Sequence, residues 1–293
     1  MSGVQVGVIG GSGFYQIPGL SDIEEVQIET PFGPPSDSLV LGTLEGVRIA
    51  FLTRHGNGHR ILPSEVPYRA NIWALKRLGV ERCFALNAVG SLREEIAPLD
   101  LVVPGQLIDH TQGRPDTFFG RGLVAHVGLD RPFCPQMSEL LLTSAKALNS
   151  QVHRGGSYVA VEGPAFSTIA ESQIYRSWGA SVIGMTAMPE AKLAREAEIC
   201  YAILALVTDY DVWQEDYAPV SGEMVIENLL HNFARAQRIV GEAVRNLPSE
   251  RECECGSALA KALITSKTIV PDDVKRDLAP ILAPYLQPQE PVR

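Results

Sequence analysis

The sequence lacks long apolar runs and carries fewer positive than negative charges. No apolar run approaches the roughly 18 residues of a membrane span, and the start, MSGVQVGVIGGSG, has neither the basic region nor the apolar core of a secretory signal peptide. Lys and Arg number 25 against 34 Asp and Glu. This balance argues against a surface for nucleic acid or anionic lipid, although a local basic pocket can still bind a small anion. We therefore expect a cytoplasmic protein with no nucleic acid or membrane partner.

Cysteine is scarce, at five in 293 residues. Cys83, Cys134 and Cys200 lie among apolar residues, where cysteine usually acts as a small buried hydrophobe. Cys253 and Cys255 form a C-x-C pair, which could form a disulfide, join subunits or stay reduced. The thin spread argues against a disulfide framework, and we favour reduced cysteines with a structural role.

Short β-branched runs alternate along the chain with helical patterns. The predicted strands are Val4–Ile9, Val47–Leu52, Cys83–Ala88, Leu99–Val103, Tyr158–Glu162, Val182–Met185 and Tyr201–Val207. The predicted helices are Glu65–Leu78, Gln136–Leu148, Thr168–Trp178, which opens with the spacing of a capping box, Glu190–Glu196 and Ser221–Asn246. Strands that are apolar on both faces and closely followed by helices predict an α/β fold with a mixed, largely parallel central sheet flanked by helices.

The composition changes after Pro248. With 45% hydrophobic residues, the chain can bury the core of one large domain or two small ones. We assign residues 1–248 to the sheet-containing domain. Residues 249–293 hold two short helical patterns and a proline-rich end, and we interpret them as a C-terminal helical extension packed on the main domain or on a neighbour.

Ligands of such sheets collect at the carboxyl ends of the strands, and the first strand ends in glycines. In GVIGGSGF, Gly10, Gly11 and Gly13 let backbone N–H groups turn toward an anion, and Ser12 adds a hydroxyl. A tight turn is the alternative. A dinucleotide-binding loop is disfavoured, because the third glycine of G-x-G-x-x-G is missing.

A second candidate follows the strand Val47–Leu52, in FLTRHGNGHR. Arg54 offers a planar fork of donors that suits an oxyanion, and His55 beside it can donate too. A solvated or ion-paired arginine is the alternative. The spacing of His55 and His59 could suggest a metal ion, but no cysteine or acidic residue lies nearby, and we predict no metal here.

Two further strands end in polar groups. ALNAVGS places Asn87 and the backbone of Ala88 after an apolar strand, and VIGMTAMPE places Met185 and Thr186 at the end of another. Thr186 is a candidate anion donor. The alternative is that Thr186 caps the helix that follows it.

The stretch VTDYDVW puts two carboxylates where a buried strand ends. On an extended segment, Asp209 and Asp211 would point the same way and could face one ligand with neighbouring hydrogen-bond donors. The alternative is a strand-end turn in which the aspartates accept local backbone N–H bonds.

Taken together, these segments resemble a known family, the 5′-methylthioadenosine phosphorylases of the trimeric purine nucleoside phosphorylase superfamily. The resemblance runs over residues 3–248 and rests on GVIGGSGFY, TPFGPPSD, RHGNGHR, YRANIWALK, NAVGSLREEI, VEGPAFST, GMTAMPEAKLAREAEICYA and VTDYDVW. It implies phosphorolysis, in which inorganic phosphate attacks the anomeric carbon of a purine nucleoside, with no metal or organic cofactor.

The resemblance also implies roles for individual residues. Those matching phosphate-binding positions are Ser12, Arg54, His55, Asn87, Ala88 and Thr186; those around the nucleoside are Phe166 at the base, Met185 at the ribose, and His59, Val220 and Val225 at the methylthio group. His126 matches a position contributed across a subunit boundary, which implies a homotrimer. Asp209 would protonate N7 of the leaving purine, and Asp211 would accept from the 6-amino group of adenine.

Three residues depart from the family pattern. Asn87 stands where many members have threonine, Gly184 where many have asparagine, and Ala165 where an arginine is common. The first two also occur in relatives that prefer methylthioinosine, but those lack the aspartate pair. We therefore favour methylthioadenosine as substrate, with methylthioinosine or adenosine as alternatives. A phosphate-independent nucleosidase and a nucleoside-binding module are the more distant alternatives.

Overall fold

The computed structural model describes residues 3–11, 17–214 and 221–286. Its strands are β1 (Val6–Gly10), β2 (Ser21–Val26), β3 (Leu39–Leu44), β4 (Val47–Thr53), β5 (Arg82–Ser91), β6 (Leu101–Val103), β7 (Gln106–His110), β8 (Val152–Arg154), β9 (Ser157–Val161), β10 (Ala180–Gly184) and β11 (Cys200–Asp209). Its helices are α1 (Tyr68–Arg77), α2 (Pro135–Ala147), α3 (Ile169–Ser177), α4 (Ala187–Glu196), α5 (Gly222–Arg245), α6 (Asp272–Asp277) and α7 (Ala279–Leu282), with a 3₁₀ turn at Glu254–Ser257. None of these helices is both long enough and apolar enough to cross a membrane.

The strands form one mixed sheet flanked by helices, as the sequence predicts. The main path runs β2-β3-β4-β1-β5-β10-β9-β7, with β11 on β5 and β6 and with β8 on β6. The pairs β1–β4, β1–β5, β11–β5, β6–β8, β7–β9 and β10–β9 are parallel, whereas β2–β3, β3–β4, β10–β5 and β11–β6 are antiparallel. Helices α1 and α4 pack on one apolar core, and α2 and α5 pack on another. The sheet is therefore covered on both faces.

All seven predicted strands and all five predicted helices of the main domain are present. The capping box at Thr168 and Glu171 is formed. Helix α1 begins at Tyr68 rather than at Glu65, because the residue before Pro67 avoids the helical region. Four strands were not predicted: β2, β3, β7 and β8.

The junction of β5 and β10 positions the site. These strands run antiparallel, with Val182 opposite Ser91 and Ile183 opposite Gly90. Continuing this register places Thr186, just past the end of β10, opposite Asn87. Parallel pairing of β11 with β5 brings Asp209 beside Gly90. The ends of β10 and β11 therefore converge on the second half of β5.

The segment from 249 to 286 packs on the main domain. The indole N–H of Trp73 donates to the Asp277 carbonyl at 2.9 Å, and the Leu259 N–H donates to the Glu198 carboxylate at 2.9 Å. Leu278 and Ile281 are buried in the same core as α1 and α4. The extension, up to residue 286, therefore contacts the main domain of its own chain.

Candidate active site

A buried polar pair lies where β5 and β10 meet. The Asn87 amide donates to the Thr186 hydroxyl oxygen at 2.7 Å, and both side chains are buried. Thr186 occupies the N-cap position of α4, yet its side chain makes no capping hydrogen bond. The capping alternative is therefore wrong. Because the Thr186 oxygen already accepts from Asn87, its own O–H is directed to donate elsewhere.

Arg54 follows β4, is buried, and forms an ion pair with Glu190 of α4. Its Nε and Nη2 donate to the two Glu190 oxygens at 2.8 and 2.9 Å, and Nη1 donates to the Leu86 carbonyl at 3.0 Å. Glu190 also accepts from the Tyr201 hydroxyl at 2.7 Å. Burial alone would lower the pKa of Arg54, but the adjacent Glu190 carboxylate more than offsets this and raises it. Ion pairing, the alternative for Arg54, is thus observed, and its charge is balanced inside the protein.

His55 is held as a neutral ring. Its Nδ1 lies 2.8 Å from the Ile61 carbonyl, and its ring stacks on His59 with centroids 4.3 Å apart. Burial lowers the pKa of His55 to about 4, and the Arg54 and His59 charges act in the same direction. A carbonyl only accepts, so Nδ1 carries the proton. At neutral pH the Nε2 atom of His55 is therefore an acceptor, not the donor expected from the sequence.

Tyr158 and Gly184 fit together beside the Asn87–Thr186 pair. A Cβ at Gly184 would lie 1.9 Å from the Tyr158 hydroxyl and 2.7 Å from its ring carbon Cζ. Burial raises the pKa of Tyr158 to about 12, which keeps its hydroxyl protonated. The absence of a side chain at 184, noted above as a departure from the family pattern, is what makes room for this tyrosine.

Asp209 ends β11 and Asp211 lies in the turn after it. The Asp211 N–H donates to Oδ1 of Asp209 at 2.7 Å, and the Thr208 hydroxyl donates to Oδ2 at 2.7 Å. Asp211 has a φ of 53°, so the extended geometry expected for the pair is wrong beyond Asp209. The strand-end turn exists, and both carboxyl groups are nevertheless buried.

The pKa values of both aspartates are raised. Burial raises the pKa of Asp209 against the hydrogen bonds from Thr208 and the Asp211 N–H, and the charge of Asp211 adds to the rise. Burial also raises the pKa of Asp211, while the hydroxyls of Ser172 and Ser167 oppose it. A buried acid of this kind is suited to general acid catalysis.

Several buried polar atoms near these groups make no hydrogen bond within the described residues. They are Asn87 Oδ1 and the Tyr158 hydroxyl near the Thr186 end, and Ser172 Oγ and Asp211 Oδ2 near the aspartate end. Ser172 lies near enough to Asp211 to oppose the rise in its pKa, and Asn87 does the same for Tyr158, but neither contact has the geometry of a hydrogen bond. A buried polar atom without a partner costs about 1–3 kcal/mol. Two groups of such atoms at the strand ends are what a polar ligand would satisfy.

The remaining predicted site residues are placed less tightly. The Met185 carbonyl accepts from Arg114 at 2.7 Å, Ala88 lies in β5, Val225 lies half-buried in α5, and His126 and His59 are exposed. Phe166 is 44% exposed and adjoins Ser167, whose hydroxyl faces Asp211. Ser12 and Val220 lie outside the described residues.

Arg114 is a buried residue that the sequence did not single out. It donates to the Met185 and Met188 carbonyls at 2.7 and 2.8 Å and to the Glu162 carboxylate at 2.9 Å. It thus fixes the end of β9 against the segment that carries Thr186. Its partners are all distant in sequence, and no local spacing signals them.

The arrangement resembles proteins of known activity. A family model described as the phosphorylase superfamily matches residues 5–245. An S-methyl-5′-thioadenosine phosphorylase of Gloeobacter violaceus is 55% identical over 286 residues, covering 96% of each chain. One of Geobacter sulfurreducens is 53% identical over 282 residues, covering 96% of this chain and 99% of its own.

Solved structures of phosphorylases superpose on this chain over almost its whole length. A crystal structure of a methylthioadenosine phosphorylase from an antarctic soil metagenomic library superposes with a TM-score of 0.92 at 49% identity, covering 96% of this chain and all of its own. A variant adenosine/methylthioadenosine phosphorylase from Schistosoma mansoni, in complex with methylthioadenosine, superposes with a TM-score of 0.80 at 36% identity, covering 96% and 98% of the two chains.

Proposed function

Because this chain belongs to the phosphorylase superfamily, we propose that it catalyses the phosphorolysis of 5′-methylthioadenosine to adenine and 5-methylthioribose 1-phosphate. The observation that carries the proposal is the buried carboxyl pair Asp209 and Asp211, with raised pKa values, beside strand ends that hold unpartnered polar atoms. The names of the relatives support the same substrate.

The aspartate pair would handle the purine. A phosphate oxygen forms a bond to C1′ as the C1′–N9 bond breaks, and the electron pair of that bond moves onto the purine. A proton transferred from Asp209 to N7 neutralises the leaving base. Asp211 Oδ2, which makes no hydrogen bond within the described residues, would accept from the exocyclic 6-amino group, which adenine has and a 6-oxopurine lacks.

The pocket near Asn87 would hold phosphate. The Thr186 hydroxyl donates, and the backbone N–H groups at Ala88 and the Ser12 loop are further candidate donors. Arg54 has N–H groups beyond the three that Glu190 and Leu86 receive. His55 would accept from the phosphate itself. The bound dianion then balances the oxocarbenium-like transition state, so inorganic phosphate is the co-substrate and the reaction needs no metal or organic cofactor.

We also propose a homotrimer in the cytoplasm, in which His126 reaches the site of a neighbouring subunit. His126 is exposed here, and its N–H donates to the Ala262 carbonyl at 2.9 Å. Its loop is therefore anchored by the residue 249–293 extension, which we propose as an integral addition to the 1–248 domain. Sedimentation of the purified chain at three times the monomer mass would support the trimer.

The experiment that tests the activity measures adenine release from methylthioadenosine, with and without inorganic phosphate. Methylthioinosine and adenosine are assayed in parallel. We expect release that requires phosphate and is fastest with methylthioadenosine. Release without phosphate would make the protein a nucleosidase, and binding without turnover would make it a nucleoside-binding protein. Preference for methylthioinosine would show that Asn87 and Gly184 outweigh the aspartates.

Replacement of Asp209 by asparagine tests its role as the acid. Asn cannot supply a proton to N7, so Asp209→Asn should lower kcat/KM for methylthioadenosine by roughly 10²–10⁴ and shift preference toward 6-oxopurines. Asp272→Asn is the matched control, because the Asp272 side chain is 96% exposed. Unchanged adenine preference in Asp209→Asn would contradict the assignment.

A further inference from the structure

Four of the five cysteines meet at one point in the fold. The Sγ atoms of Cys134, Cys200, Cys253 and Cys255 all lie within 4.8 Å of one another. Three of these residues are buried and Cys253 is half-buried. None of the described cysteines is paired in a disulfide.

The cluster joins three distant parts of the chain. Cys134 precedes the first turn of α2, and its backbone N–H donates to the Tyr201 carbonyl at 2.8 Å. Cys200 is the first residue of β11, and Cys253 and Cys255 bracket the start of the 3₁₀ turn in the extension. Sequence spacing gave no sign of this convergence, because Cys134 and Cys200 are each isolated in the sequence.

We propose that these four cysteines bind a structural Zn²⁺ ion. Four thiolates at about 2.3 Å from a tetrahedral zinc lie about 3.8 Å from one another. The Sγ atoms of Cys200 and Cys253 are 3.3 Å apart, and no pair in the cluster is more than 4.8 Å apart, which is compatible with that separation. Each thiol loses its proton on binding, so the ion replaces four protons. A set of soft sulfur ligands favours zinc over magnesium, calcium or manganese.

The ion would be structural rather than catalytic. Four protein ligands fill a tetrahedral shell and leave no open position. Cys200 and Asp209 stand at opposite ends of β11, which at about 3.3 Å per residue separates them by about 30 Å. The ion would therefore attach the extension to α2 and β11 without taking part in the chemistry proposed above. The zinc site does not depend on the proposed activity, so a test of one leaves the other unaffected.

The test is the metal content of the full-length, untagged chain, expressed with zinc and purified anaerobically without chelators. We expect about one zinc per chain by elemental mass spectrometry. Exchange with Co²⁺ should give the visible absorption of a tetrahedral thiolate complex. Removal of zinc by a chelator should lower Tm.

Two serine substitutions and a control complete the test. Cys253→Ser and Cys255→Ser should each reduce bound zinc roughly tenfold, since three ligands remain of the four that a structural site needs. Cys83→Ala, which changes a buried cysteine outside the cluster, should keep zinc at the original ratio.

The wild-type protein alone can overturn the proposal, even where a variant fails to fold. Intact mass under denaturing, non-reducing conditions separates the alternatives. A mass about 4 Da below that of the reduced chain, with no zinc, would show two disulfides in the cluster. The full reduced mass with five titratable thiols and no metal would show unligated cysteines. Either result excludes the metal site.

Discussion

At the scale of single residues, Tyr158 and Gly184 explain a departure from the family pattern. A side chain at 184 and a tyrosine at 158 would occupy the same space, since the added Cβ would fall 1.9 Å from the hydroxyl. In this chain, Tyr158 therefore requires a glycine at 184. The Tyr158 hydroxyl is buried, and Asn87 and the Thr186 backbone lie close enough to oppose the rise in its pKa. It makes no hydrogen bond of normal geometry within the described residues, so it can still donate to a ligand.

This contact predicts a large effect for the smallest substitution. Gly184→Ala should displace Tyr158 and lower kcat/KM at least tenfold, with a loss of stability of about 1–3 kcal/mol. Adding Tyr158→Phe should not restore activity, because the ring carbon Cζ would still lie 2.7 Å from the new Cβ. Gly222→Ala, where an added Cβ meets nothing within 4 Å, is the control. Steady-state kinetics and urea denaturation measure both effects. An active Gly184→Ala enzyme would show that Tyr158 is not fixed.

The sequence allowed only some of these residues to be predicted. Asp209, Arg54 and Thr186 were predicted because each lies at or just after the end of an apolar strand, where ligands bind in such sheets. Tyr158 lies inside β9 and Arg114 lies in a loop, so neither has a local pattern. The neutral state of His55 depends on burial, and its tautomer depends on a carbonyl six residues away. Neither is encoded in the motif.

At the scale of elements, the Arg54–Glu190 pair joins the end of β4 to α4. Both side chains are at most 3% exposed. Removing one partner leaves the other charge buried without compensation, which typically costs about 3–5 kcal/mol. The pair therefore fixes the position of the helix that carries Thr186 at its start.

A double-mutant cycle separates the structural and binding roles of Arg54. We expect Arg54→Ala and Glu190→Ala each to lower the free energy of unfolding, measured by urea denaturation, by about 3–5 kcal/mol. The double variant should lose less than the sum of the two single losses. If the double variant folds and has a raised KM for phosphate, Arg54 also binds the anion. Strict additivity of the two losses would show that the ion pair contributes nothing to stability.

Elements were predicted where their apolar pattern was strong. β5 and β11 are buried almost throughout and read as clear strands. β2 is exposed at nearly every position and β8 has three residues, so neither leaves an apolar signature; β2 forms only because β3 offers it a pairing edge. The antiparallel junction of β10 with β5 is a long-range pairing that no local pattern can reveal.

At the scale of the whole molecule, a buried carboxyl group makes stability depend on pH. Glu196 accepts from the Thr117 hydroxyl and the Phe118 N–H, both at 2.7 Å. Burial raises its pKa from about 4.5 to about 7. Between these values the folded state binds more protons than the unfolded state. The contribution of protonated Glu196 to the free energy of unfolding is therefore fully present below pH 4.5, and it is lost as the pH rises through 7.

Glu196→Gln should remove this dependence. The neutral amide needs no proton. The free energy of unfolding of the variant should therefore exceed that of the wild type by on the order of 2 kcal/mol at pH 8 and by little at pH 5. The measurement is the free energy of unfolding against pH. Glu139→Gln, at an exposed position, controls for the loss of one charge. Parallel pH curves for wild type and Glu196→Gln would mean that Glu196 is ionised throughout.

In the phosphate pocket proposed above, the neutral ring of His55 would affect which anion binds. Hydrogen phosphate carries one hydrogen that it can donate to Nε2, whereas sulfate has the same shape and charge but no hydrogen. A sulfate oxygen would face the lone pair of Nε2 with no hydrogen between them. Leaving these two acceptors without a donor costs about 1–3 kcal/mol of binding free energy. Sulfate should therefore inhibit with a constant at least tenfold above the KM for phosphate. A sulfate inhibition constant equal to the KM for phosphate would show that Nε2 carries a proton. Through His55, the pocket would tell two tetrahedral dianions apart by a single hydrogen atom.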